Sequence, residues 1–168
     1  MTNNLPRVPL SQWVNDLPQA QQDRLLEQIK MVQSWVNDFA QVLGKKRAPK
    51  ARITNRVLYY APWSNVVAVP AKMLLEADGR LLRIAVAHEC GHFNRRWISL
   101  FSRSDFSRLR EEIQADRVAM ALTGASLDDL DAVVRELADY EEYWSSEALD
   151  SYIEQRRSLL QLAETEAR

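Results

Sequence analysis

From about Gln19 to Leu43 the apolar residues Leu25, Leu26, Ile29, Val32, Val36, Phe39, Ala40 and Leu43 recur at three- and four-residue steps. That spacing predicts a long helix with one buried face, and Gly44 follows where a C-terminal helix stop is expected. Ahead of it, residues 1–10 carry Pro6 and Pro9 and read as irregular, and Ser11 is a plausible N-cap before Pro18 interrupts. Residues 53–60 and 64–69 are rich in β-formers and predict two short strands. Pro70 at the end of the second predicts an edge strand. Residues 71–78 predict a helical turn or loop, with Gly79 as its break. From Arg80 onward Leu82, Ile84, Ala85 and Ala87 predict a buried helix. Another is expected over about Phe106–Leu122, stopping at Thr123-Gly124. Ser126 caps the next, with Asp128 and Asp129 in its first turn, where the helix dipole favours them. A last helix starts near Ser145. The expected fold class is therefore α+β, mainly helical with a small sheet.

Composition narrows the class. The 168 residues suit a single domain, and 46% hydrophobic with 27% charged residues is a globular balance. Apolar runs are only a few residues long, which predicts no membrane span. The N-terminus shows no secretory pattern and there is one cysteine, so a cytoplasmic location is expected. The net charge of −1 conceals an asymmetry: residues 1–110 sum to +9 and residues 111–168 to −10. Self-neutralisation within one fold is the simplest use of that asymmetry, with arginines 95, 96, 103, 108 and 110 facing the acidic C-terminal helices. The basic stretch Lys45, Lys46, Arg47, Lys50, Arg52 and Arg56 is a possible phosphate footprint. It lacks any base-reading element, so a nucleic-acid partner is not expected.

The chain's two histidines are His88 and His92, in the sequence His88-Glu89-Cys90-Gly91-His92. Residues four apart on a helix project from one face, so both imidazoles can reach one ion. Glu89 sits about 100° round the helix, placed to take a proton from an activated water rather than to ligate. Chance produces this H-E-x-x-H arrangement roughly once in a thousand such chains, so coincidence is a poor account of it. A catalytic zinc site takes a third protein ligand and keeps one position open. Glu112 and Asp116, in Glu112-Ile113-Gln114-Ala115-Asp116, share a face of the next predicted helix. Glu112 is the natural third ligand, and Asp116 can accept the spare N–H of a ligating histidine. Gly91 and Ala115 would let the two helices come close enough for one ion to bridge them. Cys90 falls on the far side of its helix and reads as a packing residue.

H-E-x-x-H followed by E-x-x-A-D resembles the gluzincin metallopeptidases. The closer likeness is to soluble relatives of the CAAX-prenyl endopeptidase and heat-shock membrane protease group, and to the minimal gluzincins. It covers about residues 57–135. Residues 64–70 resemble the active-site edge strand of those enzymes, and Asp116-Arg117-Val118-Ala119 matches their A-D-R-x-A continuation. The resemblance implies a zincin-like domain in which His88, His92 and Glu112 bind Zn2+, Glu89 is the general base and Asp116 supports a histidine. It departs from the family in lacking membrane helices and in having Cys90 where Leu is common. It also lacks a clear downstream His or Tyr to stabilise an oxyanion; Tyr140, Tyr143 and Tyr152 match by residue type alone.

The expected organisation is one metallopeptidase-like domain over 1–168: an N-terminal helix at about 19–43, a core at about 53–135, and an acidic helical segment at about 140–168. The expected function is a zinc-dependent endopeptidase whose substrate, a peptide or protein, lies along the edge strand at 64–69. The alternative is a zinc-binding regulatory protein of the same fold with little turnover. A related possibility is latency, with the acidic segment from Tyr140 to Asp150 folded over the cleft.

Overall fold

A computed structural model describes residues 10–94, 105–141 and 145–166. Seven α-helices and three strands follow in the order α1 (Leu10–Asn15), α2 (Gln19–Val42), β1 (Lys50–Thr54), β2 (Tyr59–Ala61), β3 (Val66–Pro70), α3 (Ala71–Glu76), α4 (Gly79–Gly91), α5 (Asp105–Thr123), α6 (Leu127–Glu141) and α7 (Ser146–Glu166). A 3₁₀ turn, His92–Asn94, continues α4. The mainly helical α+β expectation holds. No described helix is long and apolar enough to cross a membrane.

The helix ends follow from local chemistry. Gly44, at φ +67°, closes α2 with paired bonds from Gly44 N–H to the Gln41 carbonyl and from Lys45 N–H to the Ala40 carbonyl. This is the glycine-terminated double-bonded stop that satisfies the last carbonyls of a helix. Asp78 caps α4 by accepting from the backbone N–H groups of Arg80 and Leu81 at 2.8 and 3.2 Å. Gly79 is thus the first residue of α4 rather than a break before it. Ser126 caps α6 reciprocally with Asp129: the Ser126 hydroxyl accepts from Asp129 N–H, and the Asp129 carboxylate accepts from Ser126 N–H at 2.8 Å.

The sheet corrects two strand expectations. The stretch 53–60 is not one strand: β1 ends at Thr54 and β2 begins at Tyr59. Lys50 and Arg52, read as part of a basic loop, belong to β1. The sheet order is β1-β3-β2, so β3 is central and not the edge strand expected at 64–69. It pairs in parallel with β1 (Lys50 beside Val66) and antiparallel with β2 (Tyr60 beside Val67). Pro70 tolerates the central position because it is the last residue of β3 and leads directly into α3. Its missing N–H therefore falls where the ladder ends. Strand β3 starts at Val66 because Asn65 adopts a left-handed conformation, φ +51°, which Asn tolerates. The Asn65 side-chain amide donates to the carbonyls of Arg47 and Ala48 and its oxygen accepts from the Tyr60 hydroxyl.

The two outer edges of the sheet differ. At β1, Gln33 of α2 presents its carboxamide as a strand would. Its oxygen accepts from Ala51 N–H at 2.7 Å and its nitrogen donates to the Pro49 carbonyl at 3.0 Å. At β2, Tyr60 N–H is turned away from β3 and donates to the Glu89 carboxylate at 2.7 Å. The edge that borders the histidine helix is therefore β2.

One apolar cluster joins these layers. Val32, Val36 and Phe39 of α2, Val67 and Val69 of β3, Leu82, Ile84 and Val86 of α4, Ala119 of α5 and Leu160 of α7 all belong to it. Helix α4 is buried on most sides, which explains its nearly continuous apolar sequence. Cys90 is completely buried within it, and burial pushes its thiol pKa up, as suits a packing residue. Lys45 turns inward instead of joining a phosphate-binding face. Its ammonium donates to the Phe93 carbonyl at 2.7 Å and lies 5.0 Å from the centre of the Phe93 ring.

Candidate metal centre

Helices α4 and α5 carry the candidate ligands, and their approach is set by Gly91. A Cβ built on Gly91 would lie 2.6 Å from the Ala115 Cα and 2.9 Å from its carbonyl oxygen. Only glycine permits backbones this close. The contact brings the face of α4 bearing His88 against the face of α5 bearing Glu112 and Asp116.

His88 Nε2 lies 3.0 Å from one Glu112 carboxylate oxygen, and His92 Nε2 lies 3.8 Å from the other. The two imidazole rings are 5.0 Å apart and nearly perpendicular. One donor atom each from His88, His92 and Glu112 falls within 4.8 Å of the others, so the three side chains can hold a metal ion. Asp116 is fully buried behind them, and His88 Nδ1 lies 2.8 Å from its carboxylate. That contact orients the His88 ring, with Nδ1 facing Asp116 and Nε2 facing Glu112. The structure thus brings together every ligand and supporting residue expected from the sequence. Glu89 stands beside the group, on the β2 side.

The helix α7 enters this site, which sequence reasoning missed. Arg156 Nε and Nη2 donate to the two oxygens of Asp116, and Nη2 also approaches His88 Nδ1 to 3.4 Å. A signal for Arg156 existed: it lies between Ile153 and Leu160 at helical spacing, and both of those are buried. Tyr152, one turn earlier, lines the same cleft, and the Arg156 guanidinium lies 5.7 Å from its ring centre. Tyr140 and Tyr143, the other aromatic candidates, lie outside the described side chains. The cleft has a volume of about 210 Å³. Leu130, Val133, Val134 and Leu137 of α6 form an apolar wall facing Glu89, and Leu58 closes it beside β2.

Ile153 and Leu160 of α7 are buried in the core and Arg156 binds Asp116. Of the segment from Tyr140 to Asp150 named for latency, residues 140–144 lie outside the described side chains. The acid-rich helices find arginine partners at Arg80 (Asp129), Arg135 (Asp150) and Arg157 (Asp128 and Asp131). Arg95, Arg96, Arg103 and Arg108 lie outside the described side chains.

Charge coupling within the cluster is strong. Burial alone would pull the His88 pKa down, but hydrogen bonds to Asp116 and Glu112 outweigh it and hold it up at about 9. Burial opposes ionisation of Glu112, yet the hydrogen bond to His88 holds its carboxyl well below the usual range. Asp116 is lowered in the same way, by His88 and Arg156 against its burial.

The sign of the pH dependence follows. His88 binds its proton more tightly folded than unfolded, so its contribution is complete below pH 6.5 and disappears as pH rises through about 9. The two carboxylates contribute above about pH 4.5 and lose that contribution as pH falls. Thermal melts of metal-free protein should therefore show Tm falling between pH 6.5 and about 9. Adding a divalent metal should stabilise the fold increasingly over that range, because the ion replaces the His88 proton. A metal-free Tm that rises over the same interval would contradict this coupling.

Comparisons with protein-family models, with curated proteins and with solved structures return no match to this chain.

Proposed function

We propose that the protein is a zinc-dependent endopeptidase of gluzincin type, with Zn2+ held by His88, His92 and Glu112. The observation that carries this reading is the convergence of two imidazole nitrogens and one carboxylate oxygen within 4.8 Å, with Glu89 alongside on the H-E-x-x-H helix. Two nitrogens and one oxygen, with room for a fourth partner, form the donor set of catalytic zinc sites. The Glu112 carboxylate reaches both histidines, one oxygen 3.0 Å from His88 Nε2 and the other 3.8 Å from His92 Nε2.

Zinc bound there would activate a water and polarise a peptide carbonyl. The remaining work falls to the chain. Glu89 accepts the proton of the attacking water and delivers it to the departing amine. Asp116 keeps the His88 ring in its ligating tautomer. The outer edge of β2, not β3, borders Glu89, and its Tyr60 N–H holds the Glu89 carboxylate in place. Apolar side chains of α6 line the cleft opposite the polar cluster.

The test is the zinc content of protein purified without chelator, with wild type beside Glu112→Ala, and hydrolysis of a mixed pool of unstructured peptides by each. The expected result is about one zinc per chain in the wild type, with zinc and hydrolysis both lost or sharply reduced in the variant. A wild type that takes up no zinc when it is supplied overturns the reading. Full zinc occupancy with no hydrolysis of any peptide would leave the zinc-binding regulatory protein as the better account.

A further inference from the structure

Asp116 and Arg156 are the only buried charged residues of the described chain, at 0% and 8% exposure. A buried ion pair is stabilising only where geometry and hydrogen bonding are nearly complete, and an apolar residue of similar volume does as well or better. At position 156 an apolar residue would fit the pattern set by Ile153 and Leu160. The docking of α7 has other contributors: Ile153 and Leu160 are buried, Arg157 pairs with Asp128 and Asp131 of α6, and Arg135 pairs with Asp150. The guanidinium instead goes to the carboxylate behind His88. Its Nε and Nη2 take one oxygen each, and the oxygen bound by Nη2 is the one 2.8 Å from His88 Nδ1.

We propose that Arg156 is the positioning residue of the metal centre: its planar fork fixes the plane of the Asp116 carboxylate, and Asp116 in turn fixes the His88 ring. The inference rests on the zinc reading above. Asp116 offers two oxygens, and rotation of its carboxylate would swing the acceptor away from Nδ1. Two parallel bonds from a rigid guanidinium prevent that rotation, whereas a single ammonium cannot. The guanidinium also balances the Asp116 charge, so the carboxylate can stay ionised in the core beside a bound cation. Helix α7, whose Arg156 stands 40 residues beyond Asp116, is therefore part of the metal-binding apparatus.

The experiment measures zinc affinity of the full-length metal-free protein by competition with a chromophoric chelator, and the visible spectrum of the cobalt(II)-loaded protein. It compares wild type, Arg156→Met, Arg156→Lys and Arg157→Met. Arg156→Met is expected to bind zinc about 10–100-fold more weakly and to change the cobalt spectrum. Arg156→Lys restores charge without the fork and should recover only a small part of the loss. Arg157→Met breaks the ties between α7 and α6 and should leave affinity and spectrum unchanged. Wild-type affinity and spectrum in Arg156→Met overturn the proposal. An equal loss in Arg157→Met also overturns it, because helix docking would then explain the effect. Should Arg156→Met not fold, wild-type affinity in Arg156→Lys overturns it alone. A wild type without zinc affinity defeats the zinc reading itself, which separates the two failures.

Discussion

Replacing Glu89 by Gln is expected to leave metal binding intact while reducing peptide hydrolysis by about 10²–10⁴-fold, the usual contribution of a positioned general base. The substitution is nearly isosteric. The carboxamide oxygen can still accept from Tyr60 N–H, which lies 2.7 Å from the Glu89 carboxylate, so β2 should stay in place. His88, His92 and Glu112 are untouched, and zinc content should match the wild type. What is lost is the ability to take up and release a proton. The measurement is initial rates on a peptide substrate with zinc content determined on the same samples. Hydrolysis within a few-fold of wild type at equal occupancy would show that Glu89 does not carry the proton.

Gly91→Ala is the second large effect, and it acts through packing. In an ordinary helix interior the change would gain about 1 kcal/mol from propensity. Here the new methyl would meet the Ala115 Cα at 2.6 Å, its oxygen at 2.9 Å and its Cβ at 3.0 Å. Two of these neighbours are backbone atoms in the middle of α5, which cannot swing aside as a side chain can. The helices must separate, and overpacking of this kind costs about 1–3 kcal/mol, so the clash outweighs the propensity gain. Because α4 and α5 hold the ligands from opposite sides, separation also draws Glu112 away from His88 and His92. Both Tm and zinc affinity should fall. A more stable variant with unchanged affinity would mean the two helices can part without cost.

Neither effect depends on the strand order, yet the strand order decides which sheet edge borders Glu89. Gln33 occupies the outer edge of β1 with its carboxamide, and β3 is paired on both sides, so β2 is the edge that meets Glu89. The expectation of an edge strand at 64–69 placed the right segment in the sheet at the wrong position. Pro70 and the family resemblance were its support, and a proline at the last residue of a strand says little about which neighbours that strand has.

The sequence by itself determined the parts of this protein that are periodic. Residues four apart on a helix share a face wherever that helix is packed, so His88 with His92 and Glu112 with Asp116 were legible as pairs. The stop at Gly44, the cap at Ser126 and the close approach at Gly91 were legible for the same reason, since each depends on the chemistry of a few adjacent residues. Tertiary structure alone decided which distant segments meet. The parallel pairing of β1 with β3, the turn of Tyr60 N–H toward Glu89 and the reach of Arg156 to Asp116 join residues 16, 29 and 40 positions apart. Local periodicity places a side chain on a face but does not name the partner opposite it; that choice belongs to the packing of the whole core.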